Sequence, residues 1–383
     1  MKLITKKINM MKKRTFLLLA GVLVGALTGA VQAQGTATYK IVHNGDYVYF
    51  CQDEGVSRLE KASGLWTAYT QENGMLPSKK QGTIALQDGT LWVGGEKGWV
   101  TSIAGDSKES RQYEMTKDGL AVPGLYGTIS EIAFDRQGRM AIGMSNCVRG
   151  VVDGVAQECQ TIPSLLTEQH VEDLLFDGKG TLWIASSGES AENCLARYTF
   201  DGGLDFVLKG LEKPAPFTFG SCMCVAVDAG GNVWFNPGKQ LVRYDGTAFT
   251  AYDAVASASD MAFDAEGRLW MAGLRGGLTC FANGEATQYP CELTKPYPAD
   301  KWNCIDIDGD VIYIGTQTGV LKFENGTFTP LDIPGATTGI RQVSQDTKAT
   351  DSPIYSTDGR RLDSQPRRGI VIKDGRKVIM GSK

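Results

Sequence analysis

The chain has 383 residues, of which 42% are hydrophobic and 21% are charged, and its formal net charge is −4. This length allows a large buried core, arranged as one large domain or two ordinary ones. Residues 34–346 hold 24 basic against 39 acidic residues, and such an acidic body repels phosphate backbones, so we expect no nucleic-acid partner.

The first 33 residues have the pattern of a secretory signal peptide. Six Lys and Arg residues up to Arg14 form a basic region, and an apolar run extends from Thr15 to Ala30. Val31-Gln32-Ala33 then offers the small residues that a signal peptidase accepts. The apolar run is short for a membrane anchor, and no later stretch could cross a bilayer. We therefore expect an exported protein without a membrane span, in the periplasm, at the cell surface or outside the cell.

Residues 34–336 repeat one unit seven times. Each unit has an apolar strand, a turn rich in Asp and Gly, a second apolar strand and a third strand, as in AFDAEGRLWMAGLRGGLTCF at 262–281. Because each small sheet can bury its two faces only against its neighbours, this repeat predicts an all-β, seven-bladed β-propeller of four-stranded blades. One position of the second strand marks the repeat, and it is filled by Tyr49, Trp92, Ala141, Trp183, Trp234, Trp270 and Tyr313.

Two stretches carry a resemblance to a known repeat family. Asn73-Gly74-Met75-Leu76-Pro77-Ser78 and the segment DGDVIYIGTQTGVLKF at 308–323 resemble the linker and the core of the two-component regulator propeller family. The resemblance extends over nearly all of 41–333. Propellers of that family often form the periplasmic sensors of hybrid histidine kinases, so the resemblance implies, as one alternative function, a stand-alone periplasmic sensor for a separate kinase.

The C-terminal end differs in character from the propeller. Residues 337–353 are polar and linker-like, and 354–383 form a β tail in which Asp374-Gly375 between apolar runs predicts a hairpin. The tail resembles a truncated type IX secretion sorting domain, which implies a role in sorting. The alternative interpretation is a hairpin that docks on the acidic propeller, because 347–383 hold nine basic against four acidic residues.

All nine cysteines follow residue 33. Cys147 and Cys159 flank a hairpin predicted at Asp153-Gly154, so a disulfide between them is one interpretation. Cys222 and Cys224 alternate along one strand and should share a face, as a metal-binding pair would. No further Cys or His lies close in sequence to complete a metal site, so we expect buried strand residues, no metal and no cofactor.

Propellers bind ligands at the mouth of the central channel, where linkers between blades meet the loops between second and third strands. Aromatic side chains of the linkers and polar side chains of the loops suit a glycan, a peptide or a protein partner. The alternative is that these aromatic residues fill gaps between blades. The candidate ligand-binding residues are Tyr126, His170, Phe219, Asn236, Arg275, Tyr297 and Trp302.

We expect no catalytic residue unless His170 acts with Glu172. The streptogramin lyases are seven-bladed propellers with similar repeats, and their chemistry uses a His general base beside a metal-binding carboxylate. This resemblance makes a lyase-like or glycan-cleaving enzyme the second alternative, with His170 as the base and Glu172 orienting it. The favoured function is a non-catalytic recognition module at the channel mouth.

Overall fold

The computed structural model describes residues 37–117, 120–145, 147–151, 169–188, 194–199, 203–208, 217–218, 220–253, 257–275, 277–293 and 301–334, with four short strands between 354 and 380. The predicted signal peptide, the linker 337–353 and both predicted hairpin turns, Asp153-Gly154 and Asp374-Gly375, lie outside these residues. The chain divides into two compact units, Met1–Arg341 and Gln342–Lys383.

The first unit is a succession of antiparallel sheets whose strands are adjacent in sequence. Blades 1 to 3 comprise β1 (Thr38–His43), β2 (Tyr47–Gln52), β3 (Gly55–Glu60), β4 (Trp66–Thr70); β5 (Gln81–Gln87), β6 (Thr90–Gly95), β7 (Trp99–Ala104), β8 (Ser107–Gln112); and, after a small hairpin of β9 (Thr116–Lys117) and β10 (Leu120–Ala121), β11 (Ile129–Phe134), β12 (Met140–Met144), β13 (Cys147–Val151). A 3₁₀ turn at Glu96–Gly98 precedes β7.

Blades 4 to 7 repeat the four-stranded pattern. They comprise β14 (Gln169–Phe176), β15 (Leu182–Gly188), β16 (Leu195–Thr199), β17 (Gly203–Phe206); β18 (Val225–Val227), β19 (Val233–Phe235), β20 (Leu241–Tyr244), β21 (Phe249–Tyr252); β22 (Ala258–Phe263), β23 (Leu269–Gly273), β24 (Leu278–Ala282), β25 (Glu285–Tyr289); and β26 (Trp302–Asp308), β27 (Val311–Thr316), β28 (Gly319–Glu324), β29 (Thr327–Leu331). The predicted seven-bladed β-propeller is confirmed, with three described strands in blade 3.

The first strands of the blades form the inner ring of the propeller. Each contacts the first strand of the next blade, and β26 of blade 7 contacts β1 of blade 1, which closes the ring. Hydrophobic clusters lie between neighbouring blades. Phe50 of blade 1 meets Tyr313 of blade 7 edge-on, with ring centroids 5.9 Å apart. Each blade therefore buries its faces against its neighbours, as the repeat predicts.

The Asp-rich turns are ordered by hydrogen bonds from their own backbone and from the marker tryptophan. In blade 6 the carboxylate of Asp264 accepts bonds from the N–H groups of Glu266 at 3.1 Å and Arg268 at 2.8 Å. It also accepts a bond from the indole Nε1–H of Trp270 at 2.7 Å. Asp177 and Asp228 bind Trp183 and Trp234 in the same way. One repeat motif thus fixes both the turn and the aromatic ring that packs on the next blade.

The second unit contains four strands, β30 (Ile354–Ser356), β31 (Arg361–Leu362), β32 (Gly369–Lys373) and β33 (Arg376–Met380). They form one sheet with the order β31-β30-β32-β33. The predicted hairpin corresponds to the antiparallel pair β32 and β33, and two further strands extend it into a small sheet. In the part of the chain that the structure describes, no helix is long and apolar enough to cross a membrane.

Candidate functional site

A cavity of about 430 Å³ opens where the inner strands of the propeller begin. Its walls come from the first residues of these strands, from the segments that lead into them, and from two turns between second and third strands. The lining residues that the argument below uses are Tyr39, Lys40, Asp53, Lys80, Gly82, Glu131, Glu172, Asp173, Ser259, Asp260, Lys301, Asn303 and Gln317. The cavity thus occupies the channel mouth, where the sequence predicts the ligand site.

A β-bulge near the start of each regular inner strand shapes this cavity. The pairing register of the first and second strands shifts by one residue at the same place in six blades. A bulge adds one residue to one strand and redirects the side chains around it. The bulged residues are Tyr39, Gly82, Ser130, Glu172, Ser259 and Asn303.

The bulged residues also join the blades to each other. Ser259 Oγ donates a hydrogen bond to the carbonyl of Trp302 in the next blade. Asn303 Nδ2 donates to the carbonyl of Thr38 at 2.9 Å. Gly82 lies so close to the next blade that a Cβ atom there would stand 2.1 Å from the carbonyl oxygen of Ile129. The same strand position therefore lines the channel mouth and connects adjacent blades.

Four charged side chains from four blades form a cluster at the floor of the cavity: Lys40, Glu131, Asp173 and Asp260. Lys40 Nζ lies 3.1 Å from Glu131 Oε2 and 3.9 Å from Asp173 Oδ1. Asp173 and Asp260 each accept a backbone N–H from the following blade, Val225 and Ile305, both at 2.9 Å. Three carboxyl groups thus face one ammonium group, and the backbone binds two of them.

Burial shifts the protonation of this cluster. Burial alone would lower the pKa of Lys40, but Glu131, Asp173 and Asp260 outweigh it and raise that pKa well above its ordinary value. Burial raises the pKa of Glu131 and of Asp260, and Lys40 offsets this only in part. Lys40 on the floor therefore holds its proton more firmly than an ordinary lysine, and the carboxyl groups of Glu131 and Asp260 ionise less readily than usual.

The rim of the cavity is polar and more accessible. Tyr39 Oη donates a hydrogen bond to Asp53 Oδ1 at 2.6 Å, and burial together with Asp53 raises the pKa of Tyr39 to about 12. Gln317 Nε2 donates to Asn303 Oδ1 at 2.8 Å. Lys80 and Lys301 are exposed. The rim thus offers ammonium groups, amides and a carboxylate to a ligand.

The candidate residues from the sequence fall into three groups in the structure. Tyr126, His170 and Arg275 are exposed, so they remain available to a ligand. Asn236 and Trp302 are buried. Phe219 and Tyr297 lie outside the described residues. None of the seven lines the cavity in the described part of the chain.

Asn236 and Trp302 serve the fold, so we correct their assignment as ligand-binding residues. Asn236 Oδ1 accepts the N–H of Ala258 at 2.9 Å and its Nδ2 donates to the carbonyl of Gln240 at 2.7 Å, which ties blade 5 to blade 6. Trp302 is fully buried, and its ring centroid lies 5.6 Å from that of Phe328. Trp302 directly precedes the bulged residue Asn303 of blade 7, whereas Asn236 directly follows β19, the second strand of blade 5.

His170 and Glu172 both lie near the channel mouth, but only Glu172 lines the cavity. Glu172 is a bulged residue that lines the cavity, and its carboxylate accepts a hydrogen bond from Ser187 Oγ. His170 pairs across the sheet with Ser187 and is exposed. The described hydrogen bonds and ion pairs include none between His170 and Glu172.

Cys222 and Cys224 do not share a face as the sequence suggested. Cys222 contacts Cys194 of blade 4, whereas Cys224 Sγ lies 3.9 Å from the carbonyl oxygen of Ala258 in blade 6. The pair therefore faces two different neighbours. Among the described residues there is no group of three or more His, Cys, Asp and Glu side chains that could hold a metal ion.

Sequence reasoning missed Lys40, Glu131 and Asp260 as cavity residues. Each is a single charged residue in the first half of a mostly apolar strand, and strand alternation alone does not show that a bulge directs it into the channel. A signal exists in the repeat: Asp173 and Asp260 occupy the same position, directly after the bulged residue. A polar or charged residue at that place in several blades indicates a polar channel.

No protein-family model and no curated protein matches the chain. Solved structures do match. Virginiamycin B lyase from Staphylococcus aureus aligns with a TM-score of 0.59 at 16% identity over 76% of this chain and 95% of that chain. A structure named YCF48 bound to D1 peptide aligns with a TM-score of 0.53 at 12% identity over 76% and 93%.

A third match is to an extracellular domain. The extracellular domain of BT4673 from B. thetaiotaomicron, described as a one component system, aligns with a TM-score of 0.57 at 13% identity. The match covers 90% of this chain and 45% of that chain, so this chain spans less than half of that protein. At these identities the three likenesses show a common propeller fold.

Proposed function

We propose that the protein is an exported recognition module that binds a glycan, a peptide or a segment of a partner protein at the mouth of its central channel. One observation carries this proposal, the polar cavity of about 430 Å³. Its volume lies in the range of small-molecule sites. It is lined from several blades at once, so a ligand there would contact a rigid ring of strands.

The charges of the cavity indicate what the ligand offers. Lys40 forms ion pairs with Glu131 and Asp173 on the floor. These three side chains therefore contribute to the shape and the electrostatic potential of the cavity more than to hydrogen bonds with a ligand. Lys80 and Lys301 on the rim are exposed ammonium groups, and Glu172 adds a carboxylate. Groups of both signs suit a ligand rich in hydroxyl or amide groups, or one with a carboxylate.

A thermal-shift screen of residues 34–383 against glycans, peptides, amino acids and divalent metals tests the proposal. A ligand present at a hundredfold excess over its Kd stabilises the folded state by about 2.7 kcal/mol. For the ligand found, we expect Lys80→Ala and Lys301→Ala to weaken binding several-fold. The matched control is Lys179→Ala, an exposed lysine in the turn between β14 and β15, at the opposite end of the blade. Equal effects of all three variants would contradict a site at the mouth.

The same material tests the two alternatives. A stabilisation by divalent metal alone, with substrate turnover that His170→Ala abolishes, would support the lyase-like or glycan-cleaving enzyme. Concentration-dependent association with the sensor domain of a kinase would support the stand-alone sensor. A ligand that binds without turnover and depends on Lys301 supports the recognition module.

We also propose that the tail 354–383 directs the protein to its destination after export. The support is its resemblance to sorting domains and its organisation as a compact unit separate from the propeller. Deletion of residues 350–383 should leave the propeller folded and change the location of the protein in the native cell. Unchanged export and location would contradict sorting and leave the docking alternative.

A further inference from the structure

Two buried thiols from adjacent blades meet beside Ser186. Cys194 stands at the start of the third strand of blade 4, and Cys222 precedes the inner strand of blade 5. The N–H of Ser186 donates to the carbonyl of Cys194 at 2.9 Å, and the carbonyl of Ser186 accepts the N–H of Cys222 at 3.0 Å. Cys194 and Cys222 are 1% and 0% exposed. One backbone residue therefore positions both cysteines.

The side chains of Cys194 and Cys222 also lie close together. Both belong to one hydrophobic cluster that spans blades 4 and 5. The thiol of Cys222 interacts with that of Cys194 and donates to the backbone carbonyl of Cys224 at 3.3 Å. Cys224 is turned away, towards Ala258 of blade 6. The contact between Cys194 and Cys222 thus does not extend to the next cysteine along the chain.

We propose that Cys194 and Cys222 form a disulfide that links blades 4 and 5 once the protein has been exported. The two thiols give up two protons and two electrons and form one S–S bond. A disulfide oxidant, either a protein disulfide or oxidised glutathione, takes up both and becomes two thiols. Exported proteins meet such oxidants in the compartment where they fold. This modification goes beyond the proposed ligand binding and does not depend on it.

The surroundings of the pair determine when the bond forms. The neighbouring thiol of Cys194 and burial both raise the pKa of Cys222 well above its ordinary value. Thiolate is the reacting species in exchange, so the folded dithiol reacts slowly, and its burial also keeps an external oxidant out. The disulfide therefore forms while blades 4 and 5 come together and is then protected from reductant.

The test is peptide mapping of the full mature chain after refolding with a mixture of reduced and oxidised glutathione. Trypsin releases Cys194 in the peptide 180–197, and Cys222 with Cys224 in the peptide 210–239. We expect these two peptides to be linked without reductant and separate after reduction, with two fewer free thiols per chain than in the reduced protein. Reductant under partly denaturing conditions should lower the Tm of the wild type by a few degrees, because the link restricts the unfolded chain.

Three variants decide which cysteines are joined. Cys194→Ser and Cys222→Ser should each abolish the linked peptide and the response of the Tm to reductant. Cys224→Ser is the matched control and should keep both. Loss of the linked peptide in Cys224→Ser alone, or free thiols at Cys194 and Cys222 in the refolded wild type, would overturn the proposal. Folding of each variant is checked by its β-sheet circular dichroism.

Discussion

At the scale of single residues, the tryptophans at one repeat position differ in what their indole N–H meets. Trp183, Trp234 and Trp270 each donate to the Asp that opens the preceding turn. Blade 2 has Gln87-Asp88-Gly89 there, and the buried Nε1 of Trp92 has no hydrogen-bond partner. A buried donor without a partner costs free energy, whereas a satisfied one contributes some. The indole N–H group thus stabilises blades 4, 5 and 6 and destabilises blade 2.

Replacing each tryptophan by phenylalanine should expose this difference. Trp270→Phe removes a 2.7 Å hydrogen bond to Asp264, whereas Trp92→Phe removes an unsatisfied donor. Both changes leave a similar cavity, so we expect Trp270→Phe to cost about 1–2 kcal/mol more than Trp92→Phe. Urea unfolding of both variants measures the free energies. Equal costs would show that the turn carboxylate finds another donor or that Trp92 binds water.

Titration of Glu131 on the floor of the cavity should make the stability of the fold depend on pH. Because burial raises the folded-state pKa of Glu131 above its ordinary value of about 4.3, the folded chain holds more protons than the unfolded chain as the pH rises from that value. Stability from this group is then present at low pH and falls as the pH rises through the raised pKa. Glu131→Gln removes the titration and keeps the shape.

We therefore expect the Tm of Glu131→Gln, relative to wild type, to increase steadily between about pH 5 and pH 8.5. Glu109→Gln is the control, because Glu109 forms an exposed pair with Arg111 and such pairs contribute little. A relative Tm that decreases with pH would mean that the ion pair with Lys40 outweighs burial and lowers the pKa of Glu131.

At the scale of the element, the inner strand combines two tasks through its bulge. The bulged residue reaches the carbonyl of the next blade, as Ser259 and Asn303 do. The residue after it turns its side chain to the channel, as Lys40 and Asp173 do. Without the extra residue, simple alternation would allow one of these contacts. The bulge is therefore what lets short strands both close the ring and line a site.

The bulge of blade 2 gives a direct test of this close approach. A Cβ atom on Gly82 would stand 2.1 Å from the carbonyl oxygen of Ile129, which backbone atoms can relieve only by moving blade 2 away from blade 3. We expect Gly82→Ala to destabilise the fold by about 3 kcal/mol or more, the upper end for overpacking. Gly45→Ala, where no atom lies within 4 Å of the new Cβ, should be nearly neutral. Chemical denaturation compares the two, and a neutral Gly82→Ala would contradict the inter-blade contact.

The sequence predicts the blades well and the site poorly, for a physical reason. The turn Asp and the marker tryptophan are hydrogen-bonded within one repeat, so their spacing is visible in the chain. The site depends on contacts between blades, such as Lys40 with Glu131, which are 91 residues apart. It also depends on bulges, such as the one at Asn303 beside Trp302, which redirect side chains without changing the apolar pattern. Neither the contacts between blades nor the bulges can be predicted from local sequence patterns.

At the scale of the whole molecule, the ring closes without a shared strand among those described. Blade 1 and blade 7 each consist of consecutive strands, so side chains hold the seam between them. His43 Nδ1 lies 2.7 Å from Asp306 Oδ2, and Lys61 Nζ donates to Asp308 Oδ2 at 2.7 Å. A histidine and a lysine from blade 1 thus face two aspartic acid side chains from blade 7. The chain termini of the propeller meet at an ionic contact that depends on the charge of one histidine.

Protonation of His43 should therefore control how firmly the ring is closed. The hydrogen bond with Asp306 raises the pKa of His43 against the opposing effect of burial. A raised histidine pKa means that this stabilisation is fully present below about pH 6.5, the unfolded value, and is lost as the pH rises through the folded value. We expect His43→Gln to lower the Tm at about pH 6 and to approach the wild type at about pH 8.5.

The second histidine provides the control. His170→Gln changes the same residue type at an exposed position of blade 4, outside the seam between blades 1 and 7. Because His43 and Asp306 are 263 residues apart, their contact exists only in the closed ring. In His43→Gln, amide hydrogens of β1 and β26 should thus exchange faster than those of β11 and β14. Uniform acceleration over all blades would mean that the ring unfolds as one unit, and a Tm difference independent of pH would mean that the charge of His43 contributes nothing to the seam.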